Sequence, residues 1–77
     1  MKKRKELNDI ETKIWEAILI YLSDNNVVPM REEIATAISD NNKKYSPQLV
    51  EYHLRKLEEK KWILLQPTGH KRNIIII

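Results

Sequence analysis

Four side chains between Ser46 and Lys60 are suited to reading the edges of nucleic-acid bases: Gln48, Glu51, Tyr52 and Arg55, at i, i+3, i+4 and i+7. A Gln amide pairs with adenine, an Arg fork with guanine, and a Glu carboxylate accepts from the amino group of cytosine. Such spacing lines one face of a helix. Val50, Leu54 and Leu57 fall on the opposite face and are spaced to meet a core. Leu49 lies beside the polar row, where it suits either a thymine methyl or a core contact. A solvated helix face has a similar polar mix, so the row gains meaning only from its surroundings.

Those surroundings are basic. Ser46-Pro47 marks a helix start, with Ser46 as N-cap and Pro47 in the first helical position, where a missing N–H costs nothing. A helix N-terminus also favours phosphate, so Ser46 suits both capping and backbone contact. Lys43, Lys44 and Tyr45 precede it, Lys56 lies on the helix flank, and His70, Lys71 and Arg72 follow further on. These are the candidate contacts to a nucleic-acid backbone. Residues 6–42 hold two basic and eight acidic side chains, a net of −6, whereas residues 43–77 hold eight basic and three acidic, a net of +5. Lys2, Lys3, Arg4 and Lys5 add a basic start, which suits a solubilising tail as well as an electrostatic aid to binding.

The totals exclude several classes. With 77 residues the chain makes one domain near the lower limit for a self-sufficient core. Apolar content of 42% against a net charge of +3 is that of a globular rather than a disordered chain. Absence of Cys removes disulfides and thiolate metal sites. No apolar run approaches a membrane span and no secretory signal is read, so the expected location is cytoplasmic. His53 reads as helix-packed, and with His70 the only other histidine no metal site is expected. Glu32-Glu33 and Glu58-Glu59 are adjacent pairs that diverge by about 100° on a helix. They form no catalytic dyad, and no nucleophile–base pair or phosphate-cradling Gly loop is present. Neither enzyme activity, cofactor nor small-molecule ligand is expected.

The elements that must position the polar row follow from periodicity. Asn8 with Glu11 has capping-box spacing and opens a first helix, whose apolar stripe is Ile10, Ile14, Ala17, Ile18, Tyr21 and Leu22, widened by Trp15 and Leu19. Asp24-Asn25-Asn26 ends it. Val27-Val28-Pro29 is an extended link, and a short second helix follows from about Arg31, with Ile34, Ala35 and Ile38 facing inward, until Ser39-Asp40-Asn41-Asn42 stops it. The third helix covers about 47–60. Trp62–Gln66 and Arg72–Ile77 are β-prone runs around Pro67-Thr68-Gly69-His70, which together read as a hairpin. Trp15 and Trp62 are expected in the core, and the Ile run paired and packed.

Helix, helix, helix, hairpin is the order of a winged helix-turn-helix: mainly α, with a two-stranded antiparallel wing, the third helix being offered to the major groove. On Leu7-Asn8 with Glu11, Pro29 before Arg31-Glu32-Glu33-Ile34-Ala35, Ser46-Pro47, His53-Leu54 with Leu57, Trp62-Ile63 and the Gly-containing wing, residues 7–77 resemble the N-terminal DNA-binding domain of the LexA repressor family. Residues 1–6 then form a basic, flexible arm. The resemblance implies sequence-specific binding of double-stranded DNA by a transcriptional regulator, for which the spacing on the third helix makes Gln48, Leu49, Glu51, Tyr52 and Arg55 the candidate base readers. Small size favours a homodimer on a two-fold site. Departures matter too. The family tends to have Thr at Met30, which removes a side-chain cap, and Gly at Lys61, where a positive φ is needed. The connection between the second and third helices is longer here. Of the family's reading residues only Glu51 survives, so a shared operator is not expected, and the family's self-cleaving protease chemistry is not carried over to these 77 residues. The alternative readings are a winged-helix protein-interaction module and an accessory domain of a larger protein.

Overall fold

The computed structural model describes residues 5–67 and 71–77. Helix α1 spans Asp9–Asn25, α2 Arg31–Ile38 and α3 Pro47–Glu59; strands β1 (Ile63–Leu65) and β2 (Ile74–Ile76) form one antiparallel pair. The register sets Ile63 opposite Ile76, Leu64 opposite Ile75 and Leu65 opposite Ile74. This is the winged-helix arrangement.

Each helix starts where its sequence requires. Asn8 Oδ1 accepts the Glu11 N–H at 2.9 Å while Glu11 Oε1 accepts the Asn8 N–H at 3.0 Å, closing the capping box of α1. Glu11 is itself buried, and its carboxylate also takes the ammonium of Lys60 from the end of α3. Met30 supplies no side-chain cap to α2, but Glu33 Oε1 accepts the Met30 N–H at 2.7 Å and keeps half of the box. Ser46 Oγ accepts the Leu49 N–H at 3.1 Å, with Pro47 behind it.

The helix ends are just as local. Asn26 closes α1 at φ 61°, a conformation Asn tolerates. At the end of α3, Lys61 adopts φ 72°. The Lys61 N–H reaches Glu58 O at 3.0 Å and the Trp62 N–H reaches Leu57 O at 3.1 Å, the paired bonds that usually accompany a glycine. A lysine therefore makes the sharp turn that sends the chain from helix into β1.

Ile14, Ile18, Ile34, Val50, Leu54, Leu57 and Ile63 are fully buried, with Ala35, Ile38 and Ile74 beside them. All three helices and the wing contribute to this one cluster. Full burial of each large aliphatic side chain is worth about 1.5–3 kcal/mol, which is what holds α3 in place from behind. Aliphatics fill the centre, whereas Trp15 and Trp62, expected in the core, meet edge-to-face at its margin, 5.3 Å apart. The Trp62 Nε1–H donates to Lys5 O at 2.8 Å, so Lys5 is tied to the turn that follows α3. Period-2 geometry splits the Ile run: Ile74 and Ile76 face inward, while Ile75 and Ile77 are exposed.

Candidate nucleic-acid interface

With Val50, Leu54 and Leu57 against the core, α3 turns Gln48, Leu49, Tyr52 and Arg55 outward, and all four are exposed. Tyr52 is 55% accessible and is held by its neighbours rather than by the core. Its ring meets the His53 ring edge-on at 5.2 Å, and Lys56 Nζ lies 5.4 Å from its centroid. Burial pushes the half-buried His53 imidazole below its ordinary pKa, so it stays neutral at physiological pH. Leu49 stands at the solvent edge of the row, beside rather than inside the core.

The fifth reading candidate behaves differently. Glu51 Oε1 accepts from Arg31 Nε at 2.7 Å and Glu51 Oε2 lies 3.1 Å from Arg55 Nε. Both carboxylate oxygens are thus engaged by guanidiniums, with a third of the Glu51 side chain left exposed. Its partner Arg55 keeps 70% of its side chain exposed. Arg55 has its Nε side against Glu51 and its outer fork toward solvent.

Above the start of α3, the long connection from α2 is a built turn. Asp40 Oδ1 accepts the N–H groups of Lys43 and Asn42, both at 2.8 Å, and these bonds hold its carboxyl below the usual carboxylate range. Ser39 Oγ donates to Ala35 O and accepts the Tyr45 N–H at 2.9 Å. Lys43 and Lys44 are left exposed beside the α3 N-terminus, with Lys43 Nζ 5.3 Å from the Tyr45 ring. Tyr45 itself is half-buried against the core cluster, so its ring acts first as an anchor for this turn.

At the wing, the expected backbone contacts divide. Lys71 is exposed. Arg72 is folded back onto the body: its Nη1 donates to Val28 O at 2.9 Å and to Glu33 Oε1 at 2.7 Å, and its Nη2 to Glu33 Oε2 at 3.1 Å, with the Tyr21 ring 5.7 Å away. Arg72, with the Met30 N–H and the Tyr21 hydroxyl, pulls the Glu33 carboxyl down to about 2. The Arg72 guanidinium therefore fastens the wing to the body, while the residue stays exposed. His70 lies outside the described residues, as do Thr68 and Gly69, and so do Met1–Arg4 of the basic arm.

Sequence reasoning passed over three residues that shape this face. Arg31 ties α2 to Glu51 on α3 and to the wing, Glu58 Oε2 accepts the Leu65 N–H at 2.8 Å, and Asn73 bridges Arg31 and Gln66 O. A groove of about 610 Å3 runs between α3 and the wing, lined by these residues with Arg55, Gln66 and Lys71. One signal was readable: Arg31 opens α2, where the helix dipole disfavours a cation, so its charge needed partners elsewhere.

Residues 16–75 match the profile of the ribonuclease R winged-helix domain. The chain belongs to that family. The match covers α2, α3 and β1, most of α1 and β2 as far as Ile75, so it reaches every element that builds the face just described. It supports the winged-helix part of the LexA resemblance without the tie to LexA. No curated protein matches the sequence.

Proposed function

We propose that this ribonuclease R-type winged-helix domain is a nucleic-acid-binding module that lays α3 in the major groove of double-stranded DNA and sets the wing beside the backbone. The observation that carries the reading is the layout of one face. Gln48, Leu49, Tyr52 and Arg55 stand outward on a helix braced from behind, with exposed Lys43 and Lys44 at one end and Lys71 on the wing. Polar groups with base-edge chemistry lie between cations that suit phosphates. In this reading the domain serves a cytoplasmic transcriptional regulator by binding rather than by catalysis. Two copies share a two-fold site, because one domain this small covers little duplex. A LexA-like mode of docking is part of the proposal; a LexA-like operator is not, since Gln48, Leu49 and Tyr52 are different reading residues.

The family match favours one second reading, an accessory domain that handles nucleic acid for a larger ribonuclease. The two differ in what the face prefers. Major-groove reading requires B-form DNA, because the deep, narrow major groove of A-form RNA does not admit side chains. Selection of bound molecules from a random pool of DNA duplexes, with an RNA duplex as competitor, decides between them. Enrichment of a short DNA motif that RNA fails to displace supports the regulator; unenriched binding displaced by RNA supports the accessory domain; no binding to either at low salt rejects both.

A further inference from the structure

We propose that Arg31 and Glu51 form a positioning pair: Arg31 fixes the wing against α3, and Glu51, held by Arg31, aims the Arg55 guanidinium at the nucleic acid. This rests on the nucleic-acid reading above and deepens it. Arg31 lies at the junction of three elements. From the first position of α2 its Nε donates to Glu51 on α3, and its Nη1 donates to Asn73 Oδ1 and, at 3.3 Å, to Lys71 O on the wing. Its side chain is only 14% exposed, too enclosed to meet a phosphate itself. Glu51 has one oxygen on Arg31 and the other on Arg55 Nε, so the anchored guanidinium and the presented one share a carboxylate.

The wing end of the arrangement is equally specific. Asn73 Nδ2 donates to Gln66 O at 2.6 Å while its N-terminal neighbours carry Lys71, the exposed wing cation. Arg31 therefore grips the returning arm of the hairpin just where it holds a candidate phosphate contact. Lysine cannot copy this grip, because one ammonium lacks the planar fork that reaches two elements at fixed angles.

Charge alone and positioning predict opposite results, and this makes the pair testable. Arg31→Lys keeps every charge; if Arg31 acts only through charge, binding is unchanged. Glu51→Gln removes a negative charge from a face that meets phosphates; if Glu51 is only a surface acid, binding tightens. Positioning predicts that both variants weaken binding of a fluorescein-labelled mixed-sequence DNA duplex, by roughly twofold to a hundredfold, the range for coupled neighbours. It also predicts that hydrogen exchange quickens at the amide of Gln66, which donates to Asn73 O, while those of Ile14 and Ile18 keep their protection. Equal or tighter binding by both variants, with the Gln66 amide unchanged, overturns the proposal. Should Arg31→Lys melt early, Glu51→Gln carries the test. Should the wild-type chain not bind the duplex, the nucleic-acid reading fails by itself, and unchanged exchange at Gln66 in the variants rejects the wing-fixing role separately.

Discussion

On α3, Arg55 stands 70% exposed beside Glu51, its outer fork open; on the wing, Arg72 is closed around Glu33, Val28 O and the Tyr21 ring. Both are arginines in the basic half of the chain, and both suit nucleic acid by type. Their neighbours separate them. Glu51 offers Arg55 one oxygen, because its other oxygen is on Arg31. Glu33 offers Arg72 both, and a carbonyl completes the set. A cation is presented or retained according to how many acceptors the fold brings within reach, and that number depends on tertiary packing. Helix α3 is fastened through its apolar back, which leaves its polar face outward. The wing has only one buried residue on each strand and is fastened through its polar groups instead.

Breaking the fastening of α3 should have the largest effect. Leu54 is fully buried, and Leu54→Ala should cost about 2–5 kcal/mol in chemical denaturation, much of the stability of a domain this small. Next comes the contrast between the two arginines. Arg55→Ala should weaken discrimination at one base pair by about 1–3 kcal/mol and leave the melting temperature nearly unchanged. Arg72→Ala should do the reverse, lowering the melting temperature while duplex affinity falls only as far as the wing loosens. If Arg72→Ala cuts affinity at constant stability, the division between presented and retained cations is wrong.

A smaller effect tests the turn between the two regions. Lys61 holds φ 72° without being glycine, and an L-residue there costs about 1–2 kcal/mol. Lys61→Gly should therefore stabilise the fold by up to about 1 kcal/mol after the extra freedom of glycine in the unfolded chain is offset. Denaturant midpoints at constant slope measure it.

The smallest effect is expected from pH. Glu33 titrates at about 2 in the folded chain against an ordinary 4.5. A depressed carboxyl contributes stability that is present above the ordinary value and is lost as pH falls from about 4.5 towards 2. Solvent around the pair keeps the contribution small. Melting curves of Glu33→Gln should start lower at neutral pH and lose less than wild type over that window. Parallel curves would mean that the Arg72–Glu33 contact is weak in solution.

Much of the fold was legible because its signals are local. Asn8 with Glu11, Ser46 with Pro47, and the spacing of Val50, Leu54 and Leu57 each act within a few residues, so helix boundaries and inward faces followed from the sequence. Met30 and Lys61 were readable as departures, and the structure shows the cost met by Glu33 at one and by a positive φ at the other. The polar site was less legible. Glu51 and Arg72 have the residue types of nucleic-acid contacts, but Arg31 is 20 positions from Glu51 and Glu33 is 39 from Arg72. No periodicity reports pairs so distant. The tryptophans were placed in the core by size, but their indole N–H groups need acceptors, which favours the margin where Trp62 finds Lys5 O.

The central claim is that the face of α3 and the wing meets a phosphate backbone, and salt dependence tests it most directly. Among the described residues, the exposed cations Lys43, Lys44, Arg55 and Lys71 border that face. Measured across a range of salt concentrations, the logarithm of the affinity for a DNA duplex should fall linearly against the logarithm of salt, with a slope of about −3 to −4. A flat line, or no binding at the lowest salt, would contradict the account.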